Sequence, residues 1–161
     1  RIVDLTGARS FLDVGCNAGW NMRALRKIDP DYEMSGIDIN RRALEQALRD
    51  GLDVHELPAD ELVKEFGTGA AELVVTSGVL IHVPPDDLPR TMAAILDVSQ
   101  RWVLAIEYPA PEPKEVEYRG SLGRLWKADF GQLYMDRGLS LVETGLAEGF
   151  DQCHYWLLSK D

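Results

Sequence analysis

Ser10-Phe11-Leu12-Asp13-Val14-Gly15-Cys16-Asn17-Ala18-Gly19 is the stretch that decides the fold. Ser10 to Val14 is a short apolar run ending in a glycine turn, the pattern of a buried strand. Directly after it, Trp20 to Ile28 places apolar residues at Trp20, Ala24, Leu25 and Ile28, the period of a helix face. Asp29-Pro30 stops that helix. A glycine turn between a strand and a helix lets a ligand come close to the backbone.

Working outward, the alternation continues. Tyr32 to Ile39 reads as a second strand. Asn40 can cap a helix over Arg41 to Leu48, which Gly51 ends. Leu52 to Leu57 is a third strand, Glu61 to Phe66 a short helix closed by Gly67-Thr68-Gly69, and Glu72 to Thr76 a β-branched fourth strand. Pro84-Pro85-Asp86-Asp87 begins a helix through about Val98, its acids suited to the helix dipole. Trp102 to Tyr108 is a fifth strand, Pro109 to Lys114 a loop, and Phe130 to Arg137 a helix ended by Gly138. Leu139 to Thr144 and Tyr155 to Ser159 are two last strands joined by a loop, which pairs them antiparallel. The expected fold is α/β and doubly wound: a seven-stranded, mostly parallel sheet with a C-terminal antiparallel hairpin. Residues 1–161 form one domain, with a ligand-binding part over about 8–108 and a second loop region over about 109–130.

The formal net charge of −10 repels phosphate backbones, which makes nucleic acid a poor partner. No apolar run is long enough to span a membrane, and the start does not read as a signal peptide. The chain begins at Arg1, so it reads as processed or cut from something longer. Cys16 and Cys153 make neither a disulfide framework nor a zinc spacing and read as reduced thiols of a cytoplasmic protein. His55 and His82 lack ligand spacing with either thiol, so no metal is expected.

The loop chemistry narrows the ligand. A dinucleotide fingerprint needs glycines at positions 17 and 20, where Asn17 and the bulky Trp20 stand. The loop fits a nucleoside with an amino-acid tail better than a pyrophosphate. Asp13, at the strand end, can accept a hydrogen bond from an ammonium. Asp38 ends the second strand nineteen residues after Gly19 and can accept both ribose hydroxyls. Asp60 follows the third strand after Pro58-Ala59; it can meet the exocyclic amine of adenine, cap the next helix, or do both.

Phe11 to Gly19 resembles motif I of class I S-adenosylmethionine (SAM)-dependent methyltransferases, and Leu73-Val74-Val75-Thr76-Ser77-Gly78-Val79-Leu80-Ile81-His82-Val83 resembles their fourth-strand motif. Gly15 to Asn21, Ser77 to His82, Glu107-Tyr108, Tyr118-Arg119-Gly120 and Trp126-Lys127-x-Asp129-Phe130 together resemble the pseudaminic acid biosynthesis-associated methylases. The resemblance implies SAM as cofactor and a small, sugar-derived acceptor. It implies that Gly15, Asn17 and Gly19, with Cys16 between them, face the cofactor tail. It assigns Asp38 to the ribose, with the adjoining Ile39 also at the cofactor, Ala59 and Asp60 to the adenine, and Ser77, Gly78 and Val79 to the methionyl part.

Acceptor contacts are expected at the strand ends. His82 follows the fourth strand as a general base or as a histidine bonded to backbone. Glu107 and Tyr108 end the fifth strand; the carboxylate orients an acceptor or pairs with Arg119 or Lys127. Tyr118, Arg119, Trp126 and Lys127 sit in a long loop of mixed charge and aromatics, a composition often functional, and the two cations suit a carboxylate or phosphate. Its alternative is a surface flap with Trp126 on the core. Trp20 reads as helix packing rather than a cofactor cover. The expected function is methyl transfer to an oxygen or nitrogen of a small molecule; a nucleic-acid methyltransferase and a non-catalytic partner subunit are the competing readings. Oligomeric state has no sequence signal.

Overall fold

A computed structural model describes residues 1–150 and 152–160. The strand at Ser10–Val14 (β1) and the helix at Trp20–Ile28 (α2) stand where the glycine stretch puts them. A short helix, Ile2–Thr6 (α1), precedes β1 and was not expected; it is only five residues long and none of them is fully buried. Beyond α2 come β2 (Glu33–Asp38), α3 (Arg41–Arg49), β3 (Asp53–Glu56), α4 (Leu62–Phe66), β4 (Ala71–Ser77), α5 (Leu88–Val98) and β5 (Ser99–Glu107). Two short strands, β6 (Lys114–Glu115) and β7 (Trp126–Lys127), are followed by α6 (Phe130–Met135), β8 (Ser140–Leu146) and β9 (His154–Ser159).

The main sheet has seven strands in the order β3-β2-β1-β4-β5-β9-β8. β1 pairs in parallel with both β2 and β4, and β5 continues the parallel run. β9 runs antiparallel to both β5 and β8, so six strands point one way and one points back. The order reverses at β1 and β4, and the loops after these strands form the crevice where ligands bind in such sheets. On one face α2 and α3 bury Met22, Leu44 and Ala47 with Cys16 and Leu52. On the other, α4, α5 and α6 bury Leu62, Met92, Ile95, Phe130 and Tyr134. β4 is buried on both sides, as its Leu73-Val74-Val75 run requires.

Side chains cap α3 and α6, the first at the residue read from sequence and the second at one that was not. Asn40 accepts from the amide of Ala43, and Asp129 accepts from the amide of Gln132 at the start of α6. Several boundaries move, among them the start of β5, at Ser99 rather than Trp102. α5 starts at Leu88, because Pro84–Asp87 closes first as a turn in which Asp87 and Leu88 donate to the Pro84 carbonyl. Pro85 disfavours helical backbone at Pro84. Ala59–Glu61 is a 3-10 turn that enters α4 at Leu62. The 109–130 segment is not a plain loop: Lys114↔Lys127 and Glu115↔Trp126 pair as a small antiparallel ladder.

Of the expected inner face of α2, Leu25 packs on the core, but the ends of that face do not. Trp20 is 71% exposed and Ile28 65% exposed, and Trp20 instead carries the guanidinium of Arg23 over its ring. Met22 is the buried residue. Gly36 in β2 explains the choice: a Cβ there would stand 2.8 Å from both the Met22 and the Cys16 sulfur, so the missing side chain makes the space those two fill.

Candidate active site

The glycine loop leaves β1 with left-handed backbone at Gly15 (φ 73°), Asn17 (φ 50°) and Gly19 (φ 79°). Two of these positions also need the absence of a side chain. A Cβ on Gly15 would lie 2.3 Å from a Val79 methyl, and one on Gly19 would lie 2.3 Å from a Leu52 methyl. The loop is tied to β2: Cys16 N–H donates to the Ile37 carbonyl at 2.8 Å, and Asn17 N–H donates to Asp38 Oδ2 at 2.8 Å. The Cys16 thiol itself points into the core beside Met22, and burial pushes it up to about 12, so only its backbone can face a ligand.

Asp13 is 4% exposed. Its Oδ1 accepts from the Asn21 amide at 3.2 Å, while Oδ2 is buried with no hydrogen-bond partner. Burial pushes its carboxyl up to about 7; Asn21 opposes this and the charge of Asp38 adds to it. A buried acceptor without a donor is costly unless a ligand supplies one. Asn21 thus holds Asp13 in the candidate site, a role the sequence did not disclose. Its signal was a polar side chain on the first turn of α2, eight positions after Asp13.

Asp38 spans two loops. Oδ2 holds Asn17, and Oδ1 accepts from the Asn40 amide at 2.8 Å. Each oxygen keeps a further acceptor site for a hydroxyl. Ile39, next along, is 74% exposed, a large apolar surface at the loop edge. Asp60 lies in the 3-10 turn with Ala59 but makes no side-chain cap there. Its carboxylate pairs with Arg90 of α5 at 3.1 Å, a partner not anticipated from sequence. With the ribose role that the resemblance implies for Asp38, its replacement by alanine is expected to weaken S-adenosylhomocysteine (SAH) binding at least tenfold, about 1.4 kcal/mol, because the loop loses that carboxylate as well. Calorimetric titration of D38A checks this; unchanged affinity would remove Asp38 from the site.

Ser77 ends β4, and Gly78 turns the chain with φ 64° while donating to the Ile106 carbonyl. Val79 covers Gly15. His82 is exposed; its Nδ1 is 3.1 Å from the Arg124 carbonyl, and its ring meets Tyr118 edge-on at 5.8 Å. Arg119 lies over the Tyr118 ring at 5.1 Å, so His82, Tyr118 and Arg119 form one cluster. Lys127 lies over the Tyr108 ring at 5.1 Å, a second cluster. Trp126 is half-buried and lines a separate cleft of about 330 Å³ with Leu88 and Phe130.

Glu107 does not make the expected pair with a cation. It is fully buried, and its Oε1 accepts from the amides of Val79 and Leu80, both at 3.1 Å. Neither Arg119 nor Lys127 is its partner; both cations sit on aromatic rings. Burial pushes its carboxyl up to about 7 against those two amides.

Against known proteins, a family model described as a methyltransferase domain matches residues 11–101, more than half the chain. A search of curated proteins finds no match. Among solved structures, the chain is similar to the magnesium protoporphyrin IX methyltransferase of Synechocystis PCC 6803 with bound SAM, at 15% identity and a TM-score of 0.72, covering 94% of this chain and 69% of that one. It is also similar to the 1,6-didemethyltoxoflavin-N1-methyltransferase of Burkholderia thailandensis with bound 1,6-didemethyltoxoflavin and SAH, at 14% identity, TM-score 0.76, and 98% and 73% coverage. A SAM-dependent methyltransferase from Archaeoglobus fulgidus aligns at 14% identity, TM-score 0.71, and 96% and 87% coverage. At these identities the structures speak for the fold, while the family match spans the glycine loop, the strand-end acids and β4. The chain belongs to the methyltransferase-domain family and is a methyltransferase.

Proposed function

We propose that the protein transfers the methyl group of SAM to an oxygen or nitrogen of a small molecule. The observation that carries this reading is the unpartnered, buried Oδ2 of Asp13 beside the Gly15–Gly19 turn. An ammonium is the donor that fits there, and the amino-acid tail of SAM carries one. Asp38 then receives the ribose hydroxyls, with Ile39 against the adenine and Ala59 and Asp60 at its edge. Asp60 keeps its pairing with Arg90 in this arrangement and offers its other oxygen to the adenine amine. Bound SAM supplies an activated sulfonium methyl, so the protein needs to align an acceptor and remove a proton.

His82 is suited to the second task. If its Nδ1–H donates to the Arg124 carbonyl, Nε2 carries the lone pair of a neutral imidazole. Tyr118 and Arg119 stand beside it to hold the acceptor, with Trp126 and Lys127 further along the same segment. The resemblance to the pseudaminic acid-associated methylases favours a sugar-derived acceptor bearing a carboxylate, for which Arg119 is the counter-charge. The buried, reduced thiols of Cys16 and Cys153 suit a cytoplasmic biosynthetic enzyme. Among the described residues, no helix is long and apolar enough to cross a membrane.

The test has two arms. SAH at a hundredfold excess over its Kd stabilises the fold by roughly 2.7 kcal/mol, which is expected to raise Tm by about 5–10 °C for a domain of this size. A shift with NADH and none with SAH would reject the cofactor. Methyl-labelled SAM with nine-carbon acidic sugars is expected to label the sugar; label transferred only to nucleic acid would reject the acceptor class.

A further inference from the structure

The turn after β4 touches three parts of the site within five residues. Val79 lies directly over Gly15 of the glycine loop. Leu80 is fully buried in the core under α5 and α6. His82 reaches the 118–124 segment through the Arg124 carbonyl and the Tyr118 ring. The turn is a single 3-10 element, Leu80–His82, in which His82 N–H donates to the Val79 carbonyl. Its leading amides, Val79 and Leu80, have no carbonyl inside the turn to bind, as at any helix start.

Glu107 fills that need from the neighbouring strand. Its Oε1 accepts both amides at 3.1 Å, and among the described residues no cation forms an ion pair with it. Oε2 makes no hydrogen bond of ordinary geometry; the Thr76 hydroxyl and the Ile81 amide also stabilise the carboxylate form, and the buried Tyr134 hydroxyl feels its charge. A buried carboxylate is costly to keep. An aliphatic residue would fill the same place at the end of β5 without that cost. What the carboxylate adds is a two-pronged grip on one turn.

We propose that Glu107 is a positioning residue that clamps the turn from Gly78 to His82, so that closure of the glycine loop at Val79 and placement of the 118–124 flap through His82 are set together. The proposal rests on the SAM reading of the glycine loop and adds a mechanical link from that loop to the acceptor side. Glu107 does not meet either ligand; it acts through backbone amides. The link runs in both directions, so a ligand that orders Val79 also orders the flap.

Amide hydrogen exchange and SAH titration of the wild type, E107A and E107Q test it. In E107A the amides of residues 78–83 are expected to exchange at least tenfold faster, residues 118–124 to lose protection with them, and SAH affinity to fall about tenfold. Leu12 to Val14 in β1 keeps its protection. E107Q retains a carbonyl acceptor and is expected to remain within about threefold of the wild type in each readout. A folded E107A with wild-type exchange in the turn, or with a disturbed turn and an undisturbed flap, overturns the clamp. So does general loss of protection that E107Q shares. Should E107A not fold, the wild type decides: SAH must slow exchange in residues 118–124 as well as 78–83, and protection confined to the glycine loop rejects the link. Should SAH fail to bind the wild type, the cofactor reading falls, and the exchange difference between wild type and E107A still decides the clamp.

Discussion

Gly15→Ala is expected to reduce SAH affinity by a hundredfold or more, about 2.8 kcal/mol. Two costs act at this position. The backbone is left-handed (φ 73°), which penalises a non-glycine residue by roughly 1–2 kcal/mol. The added Cβ would also stand 2.3 Å from the Val79 methyl and push the post-β4 turn away from the loop, an overpacking cost of about 1–3 kcal/mol. The loop cannot hold both its shape and its contact with Val79. Gly51→Ala is the matched control, since Gly51 has a similar φ of 66° with nothing within 4 Å of an added Cβ. It is expected to lower Tm and leave SAH affinity unchanged. Equal affinities for wild type and G15A would mean that the ligand does not use this loop.

The second large effect is a pH dependence with opposite signs for stability and for binding. Asp13 and Glu107 are each pushed up to about 7, mainly by burial, from ordinary values of 3.8 and 4.5. A carboxyl with a raised folded-state pKa binds more protons folded than unfolded across that window. Its favourable contribution is fully present below the unfolded value and is lost as pH rises through about 7. The ligand-free protein is therefore expected to have a higher Tm at pH 5.5 than at pH 8, the two carboxyls accounting for on the order of a few kcal/mol. Repulsion within a chain of net charge −10 acts in the same direction. SAH binding runs the other way. A protonated Asp13 has no charge for the ammonium, so affinity is expected to fall as pH drops below about 7. Asp13→Asn should raise Tm at pH 8, weaken SAH binding and flatten its pH profile. A D13N profile as steep as the wild type would assign the titration elsewhere.

Sheet and site differ in how far their sequence signals reach. β1 and α2 coincide with their sequence boundaries, because a buried apolar strand, a glycine turn and a helix stop are local signals. Asp13, Gly15, Asn17, Gly19 and Asp38 come together for the same reason, since strand ends in a parallel sheet converge at the switch between β1 and β4. Trp20 was misjudged because its surroundings depend on Gly36, sixteen residues away, which directs Met22 inward. Glu107 does not take the cation partner that its charge suggested. Nothing local reveals that the Val79 and Leu80 amides hold its Oε1. The same holds for Asp60, whose partner Arg90 lies thirty residues on, in α5. The β6–β7 ladder was invisible because two-residue strands carry no periodicity.

A crystal structure of the complex with SAH tests the central claim most directly. The account predicts the SAH ammonium against Asp13 Oδ2, the ribose hydroxyls on Asp38, the adenine over Ile39, and the sulfur facing the Gly78–Val79 turn. SAH seated instead in the cleft beside Trp126 and Phe130, with Asp13 Oδ2 still unpartnered, would contradict it.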